Sequence, residues 1–404
     1  MTERHARESQ EPREPRERLA RSELRRFLLR SQAMTPEWSD AFDAVPRSAF
    51  LPDVIWPYDM RTGRSAAVSR TTDPAAWQES ADANVPVTTQ WDDGRHTGMA
   101  PGRVPTSSAS MPSIVCAMLR DLDPRPGHTV LEIGTGTGWN AALLAHRLGA
   151  PAVTTVEVDP AVATAARDRL RAFGAAVEVV TGDGLLGHPA GAPYDRIMAT
   201  AGLRGIPYAW VEQTRPGAVI VAPWGTHYGH GDAVARLTVS GDGTEASGRF
   251  TRLVEFMKVR TQRLAWRGHA AYVPEDVTGS GDRSSTTLPE TAFPQASFEA
   301  VTFAMGLRMR DCRHSVAEKR DGVRPVWFYG LSDASWAVVI FRDGSPESAV
   351  HQSGPRRLWD EVEAAYRWWA GEGEPSHDRF GLTVTARGER IWLDDPANVV
   401  TPGD

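Results

Sequence analysis

The stretch VLEIGTGTGWNAALLA at 130–145 limits this chain more than any other part of it. Three apolar positions surround an acid, as in a strand buried on both faces. Alternating glycines break the strand, and an alanine- and leucine-rich helix resumes after them. A second strand ending in acids, TTVEVD at 154–159, follows. In this order an open α/β sheet places a nucleotide-like ligand at its strand ends.

The 404 residues and their 41 % apolar content allow one large core and a second, smaller one. A net charge of −6 gives no global basic field for nucleic acid. Cys116 and Cys312 stand far apart without a partner motif, so neither a disulfide scaffold nor a metal site is expected, and a reducing cytoplasm fits. No apolar run is long enough to span a membrane. The first twenty residues mix both charges without an apolar core, which is the pattern of a tail and not of a signal peptide.

Along the chain, 1–21 reads as a disordered charged tail and 22–45 as one or two short helices. Residues 57–103, rich in Gly, Pro, Asp and Thr, read as a long loop or small irregular subdomain, with the insertion itself at 61–103. A 3–4 apolar period over 110–123 predicts a helix with Ser110 as its cap and Pro112 just inside. Strands at 129–133, 153–158, 176–180, 194–200 and 218–222 alternate with helices at 139–148, 160–173 and 205–213, which predicts a parallel, doubly wound sheet. Two antiparallel strands, 232–240 and 248–259, follow. The main α/β domain is expected over 22–265, a linker or loop over 266–289, and a smaller α+β domain over 290–404. Six of the fourteen tryptophans, Trp327, Trp336, Trp359, Trp368, Trp369 and Trp392, fall in that last part.

The glycines Gly134, Gly136 and Gly138 are spaced G-T-G-T-G, not the G-x-G-x-x-G of a dinucleotide site. Glu132 before them would repel a phosphate but suits an ammonium or sulfonium charge. Glu157 at the end of the next strand can accept from ribose hydroxyls, and Asp183 in Gly182-Asp183-Gly184 from an adenine amino group. Together these acids and glycines fit S-adenosylmethionine. The dinucleotide reading fails on glycine spacing. A nucleic-acid methyltransferase reading lacks a basic run or an N/D-P-P-Y tetrad, and an inactive binding protein would tend to have lost the glycines or Glu157.

With these pieces in view, the chain resembles the protein-L-isoaspartate O-methyltransferase family over about 40–225. The resemblance rests on AFDAVPRSAFLP (41–52), SASMPSIVCAML (108–119), VLEIGTGTGWNAALLA, VEVD (156–159), GDGLLG (182–187), APYDRIMATAGLRGIP (192–207) and RPGAVIVAPWG (215–225). It implies a Rossmann-like fold, use of S-adenosylmethionine with S-adenosylhomocysteine as product, and methylation of a peptide carboxylate whose ester collapses to a succinimide. It places Ser110 at the active-site serine and Ser108 where the family has a threonine. Glu132, Gly134, Thr135, Gly136, Glu157, Val158, Gly182, Asp183, Gly184 and Thr200 form the implied cofactor set, and no metal is implied. Thr200-Ala201 falls at the strand end beside the substrate.

The insertion and the long C-terminal part depart from the compact family pattern. They resemble the longer actinobacterial members of lanthipeptide and graspetide pathways, which methylate an aspartate side chain in a cyclised ribosomal peptide. In those the ester closes to an aspartimide that persists or opens to isoaspartate. The expected partner is therefore such a precursor, with no nucleic acid or membrane, on a monomer or weak dimer; general isoaspartate repair is the alternative. A carboxylate acceptor, with a reference pKa of about 4, is already ionised at neutral pH and needs no general base. Alignment and exclusion of water remain, with Ser110 as a positioning donor. His96, His227 and His230 read as surface or loop histidines, and Trp139 as packing against the sheet or the cofactor edge.

Overall fold

The computed structural model describes residues 13–273, 281–296 and 298–402. Two compact units divide the chain, the first ending at Arg196 and the second beginning at Ile197.

The first unit opens with a helix, Arg13–Arg30. The tail expected over 1–21 lies outside the described residues up to residue 12, and from Arg13 onward the chain is helical rather than disordered. Leu24 and Leu28 recur at helical spacing, and Leu28 is fully buried. Of the two readings of the insertion, a long loop or a small subdomain, the structure has the second. Strands Val54–Asp59, Val87–Trp91 and Pro105–Ala109 form an antiparallel sheet, with Trp56 opposite Thr88 and Thr88 opposite Ser108. Helix Pro74–Asp82 covers it, started by Asp73 Oδ1 accepting from Ala76 N at 2.9 Å. Trp77 and Ala81, one turn apart, close a small core with Leu51, Ile55, Val87 and Ala109.

The remainder of this unit is the doubly wound part. Val130–Ile133 is buried at every position and pairs in parallel with Val153–Glu157, which pairs in parallel with Glu178–Thr181. Continuous burial is what a parallel strand covered on both faces requires. Helices Trp139–Leu148 and Pro160–Phe173 lie where the apolar period placed them. Asp159 caps the second of these, accepting from Ala161 N and Val162 N. Strand Tyr194–Ala199 runs across the division between the units. This is a Rossmann-like α/β core with additional sheets.

In the second unit, Thr214–Trp224, Asp232–Val239 and Glu245–Val254 form an antiparallel meander. The hairpin Phe380–Thr385 and Gly388–Leu393 extends this meander, with Glu245 opposite Thr385. Residues 290–404 are therefore not one separate module. Their other strands, Cys312–Val316, Val323–Gly330, Trp336–Arg342 and Ser348–Ser353, make a second antiparallel sheet. Its edge strand is Asp282–Thr286, out of the stretch expected as a linker over 266–289; residues 274–280 of that stretch lie outside the described residues. Helices Ala300–Arg308 and Leu358–Gly371 pack on this sheet around Phe293, Phe328, Val339 and Trp359. No helix among the described residues is long and apolar enough to cross a membrane.

Candidate active site

The glycine turn of the first unit is fixed from below by a buried carboxylate. Glu132 is fully buried; it accepts from Asn140 Nδ2 at 2.7 Å and from Thr155 Oγ1 at 2.6 Å. Thr155 in turn shares its hydroxyl with Thr135 Oγ1 at 2.7 Å. One chain of hydrogen bonds thus joins two adjacent strands to the turn and to the first turn of the following helix. Burial pushes the Glu132 carboxyl up to about 7 against the opposing Thr155 and Asn140 bonds. Thr135, named from sequence for the cofactor, is buried in this network.

A raised carboxyl binds its proton more tightly in the native state, so its stabilising contribution is complete below the unfolded value near 4.5 and is lost as the pH rises toward 7. The stability gap between the wild type and Glu132→Gln is therefore expected to move against the wild type across that window, by roughly 3 kcal/mol at most. Urea unfolding of both proteins from pH 4.5 to 8 measures it; parallel curves would show that Glu132 titrates at its ordinary value.

Glu157 sits at the end of the neighbouring strand and accepts from Gly136 N at 3.0 Å and from Asp159 N at 3.1 Å. Gly136 has φ +54°, and a Cβ there would stand 3.3 Å from Ser108 O. The close approach brings the serine strand Pro105–Ala109 against the glycine turn, within one unit. The backbone N–H of Gly134 donates to Val156 O at 2.8 Å and that of Gly182 to Glu157 O at 2.9 Å. Asp183 starts a short turn, accepting from Leu185 N at 3.0 Å. A Cβ on Gly184 would lie 2.5 Å from Ile133 Cγ2, so only glycine lets that turn lie on the strand. Val158 is exposed beside Glu157. Thr200 directly follows strand Tyr194–Ala199, in the second unit.

Ser110 is not the cap of the helix Pro112–Leu122. That position is held by Met111, with Pro112 in the first turn and no side-chain cap. The Ser110 hydroxyl is thus not committed to capping the helix. Its carbonyl accepts from Arg47 NH1 at 3.3 Å, and the same guanidinium donates to Val85 O at 3.0 Å and Ser80 O at 3.3 Å. Arg47 is buried, and its pKa is lowered to about 10 by burial, with Asp82 acting against this. No sequence motif singles out Arg47, although it stands in the VPR of the 41–52 element. Gln90 carries no motif either; it donates to Asp159 Oδ2 at 3.1 Å and accepts from Thr106 Oγ1 at 2.8 Å, and so ties the insertion to the residue after Val158.

Trp139 is buried and donates to Val45 O at 3.1 Å, which makes it a packing residue against the N-terminal segment. His96 bonds to Ala100 O at 2.7 Å on the insertion. Among the described residues no group of three or more His, Cys, Asp or Glu is placed to hold a metal ion. In sum, the first unit gathers two buried acids, a third acid on a turn, close-approach glycines and a serine strand at the ends of parallel strands.

Residues 90–259 match the family model of protein-L-isoaspartate(D-aspartate) O-methyltransferase. That stretch, less than half of the chain, is similar to this family. A protein-L-isoaspartate O-methyltransferase of Methanopyrus kandleri is 45 % identical over 130 residues, 31 % of this chain and 57 % of the relative. One from Pyrococcus horikoshii is 41 % identical over 119 residues, covering 30 % and 54 %. The chain thus spans little more than half the length of the curated relatives it matches. A solved structure named as a protein-L-isoaspartate O-methyltransferase is similar in fold over 93 % of this chain and 100 % of its own, at 20 % identity and a TM-score of 0.52.

Proposed function

We propose that this chain transfers a methyl group from S-adenosylmethionine to a carboxylate of an isoaspartyl or aspartyl residue in a peptide. The observation that carries the reading is the Glu157–Gly136–Ser108 juxtaposition. It unites an acid at a strand end, a glycine turn and the serine strand, within the stretch that matches the family model.

The residues suit the cofactor. Glu157 suits ribose hydroxyls, since a carboxylate has about four acceptor sites. Asp183 offers an acceptor for an amino group, and the glycine turn carries no basic side chain that would favour a phosphate. When bound, the cofactor supplies an electrophilic methyl on a sulfonium. The chain's own part is to bind and align. The acceptor is ionised at neutral pH, so no residue need remove a proton. The Ser110 hydroxyl donates to the acceptor carboxylate and orients it. Arg47 holds the Ser110 carbonyl, and through it the start of the helix.

Isoaspartate is favoured over an aspartate side chain in a cyclised ribosomal peptide. The tailoring reading rests on mass outside the compact family pattern. The curated relatives this chain matches are named for isoaspartate methylation, which favours that acceptor. The test is to incubate the protein with the cofactor and an isoaspartyl peptide, its aspartyl counterpart, or a ring-bearing aspartyl peptide, and to follow methyl ester by mass spectrometry. Ester on the isoaspartyl peptide alone is expected; ester confined to the ring-bearing peptide would return the reading to tailoring. Ser110→Ala is expected to lower kcat/KM by about 10- to 100-fold, the worth of one hydrogen bond to a charged group. A fall below twofold would remove Ser110 from the site.

A further inference from the structure

One residue of the insertion reaches the acids at the cofactor strand end, and its place in the hairpin is irregular. Strands Val87–Trp91 and Pro105–Ala109 pair with Thr88 opposite Ser108, but Gln90 stands opposite Ser107, so one residue is gained between them. A bulge of this kind re-aims a side chain. Gln90 is turned to Asp159, where its Nε2 donates to Oδ2 at 3.1 Å, while Oδ1 accepts from Ala161 N and Val162 N. Gln90 Oε1 accepts from Thr106 Oγ1 at 2.8 Å, and Thr106 Oγ1 accepts in turn from Asp93 N at 3.1 Å. An ionised carboxylate only accepts, so the amide has one orientation that serves both partners. The turn at the hairpin tip closes on it: a Cβ on Gly94 would lie 3.1 Å from Gln90 Nε2.

These contacts close a ring around Glu157, all of it within the first unit. Glu157 holds Gly136 N–H and Asp159 N–H. Gly136 lies against the serine strand, with Ser108 O and Ser107 Oγ at 3.3 and 3.9 Å from a Cβ placed on it. Asp159 lies against Gln90. One hairpin therefore rests on both residues that the Glu157 carboxylate ties together, through Ser107 and Ser108 on one strand and Gln90 on the other. The base of the hairpin is anchored separately. Arg47 donates to Val85 O and Ser110 O there, and Ile55, Trp77, Val87 and Ala109 form its core. Loss of the Gln90 amide thus frees the middle of the hairpin and leaves its fold.

We propose that Gln90 is a positioning residue that couples occupancy of the cofactor site to the placement of the serine strand. The proposal rests on the methyl-transfer reading above. Ribose hydroxyls that donate to Glu157 hold its carboxylate in the pose that ties Gly136 to Asp159, and so bind the closed ring better than an open one. A ligand shifts an equilibrium only through such a difference in affinity. Ser110 directly follows the serine strand, so an ordered strand carries the donor for the acceptor carboxylate with it. By linkage, a bound acceptor tightens the cofactor by the same factor. The amide closes the ring without charge. A glutamate at 90 would set a second carboxylate against Asp159, and a leucine would fill the space without a bond.

The test follows amide hydrogen exchange over 87–109 by mass spectrometry, in the full chain with and without S-adenosylhomocysteine. This product is expected to slow exchange in the wild-type hairpin about tenfold, the size of an ordinary coupling between sites. In Gln90→Leu the slowing should fall below about twofold, although calorimetry finds the product bound within about threefold of the wild-type affinity. Thr106→Val keeps the amide but removes the donor that orients it, and should fall between the two. Gln90→Leu is also expected to raise KM for an isoaspartyl peptide about tenfold with kcat at saturation kept, since a bound acceptor restores the strand. A residue that only stabilises the fold would raise exchange equally with and without product. That equal rise overturns the proposal, as does a wild-type hairpin whose exchange the product leaves unchanged, or a Gln90→Leu hairpin protected like the wild type. Product that does not bind sinks the coupling and the methyl-transfer reading together. Protection that Gln90→Leu abolishes, with no ester on any peptide, keeps the coupling and counts against the methyl-transfer reading alone.

Discussion

Asp232→Ala is expected to destabilise the protein by about 3–5 kcal/mol, the cost of breaking a buried ion pair by removing one partner. Asp232 has no exposed surface, and the Arg204 and Lys258 side chains beside it are 12 % and 15 % exposed. Without the carboxylate, two desolvated cations face each other, and neither can leave without disturbing strand Asp232–Val239 or the Gly202–Lys258 bridge. Arginine keeps its proton, so lysine gives way. Burial already lowers the Lys258 pKa against the upward pull of Asp232, and the substitution removes that pull. A lysine with a depressed folded value binds fewer protons in the native state than in the unfolded one, so stability rises with pH up to the unfolded value near 10.5. The variant should therefore recover part of its loss between pH 7 and pH 9, more steeply than the wild type gains. Urea unfolding at the two pH values measures both effects. A loss under 1 kcal/mol, or equal slopes, would mean that water already solvates this pair.

That cluster also marks a limit of sequence reading. Its members, Arg204, Asp232 and Lys258, stand more than twenty residues apart, so a chain of net charge −6 shows no basic run. The glycine turn is the opposite case. Gly134, Gly136, Glu132 and Glu157 lie within one strand–turn–helix–strand unit, where local spacing fixes geometry, and helices Trp139–Leu148 and Pro160–Phe173 follow directly from a 3–4 apolar period. The strands of the insertion are not legible because they are as short as two residues and are punctuated by Gly and Pro; the signal that the subdomain folds is the pair Trp77 and Ala81 one turn apart. The hairpin at 380–393 was legible as a hairpin, but its partner, Glu245–Val254, lies more than a hundred residues earlier, beyond any periodicity. Pro112 two residues on makes Ser110 the expected cap; the cap falls one residue later, at Met111, the residue immediately before the proline.

Glu157→Ala is expected to reduce methyl transfer by at least about 100-fold through two losses that add. The first is the acceptor for ribose hydroxyls, worth roughly 1.5–3 kcal/mol for a charged hydrogen bond. The second is the shape of the turn itself. Glu157 ties Gly136 N–H to Asp159 N–H, and Gly136 approaches Ser108 O closely enough that a Cβ would stand at 3.3 Å. Released from the carboxylate, Gly136 is free to leave its left-handed conformation, and the serine strand loses its fixed neighbour. Glu157→Gln separates the two effects. Its amide oxygen can still accept one backbone N–H, but its nitrogen faces the other as a donor, so the turn is only half restored. Cofactor affinity by calorimetry should fall in the order wild type, Gln, Ala, and kcat for an isoaspartyl peptide should fall in the same order. Cofactor affinity lost with kcat preserved at saturation would assign Glu157 to binding alone. Unchanged affinity in Glu157→Ala would place the cofactor elsewhere and overturn the site.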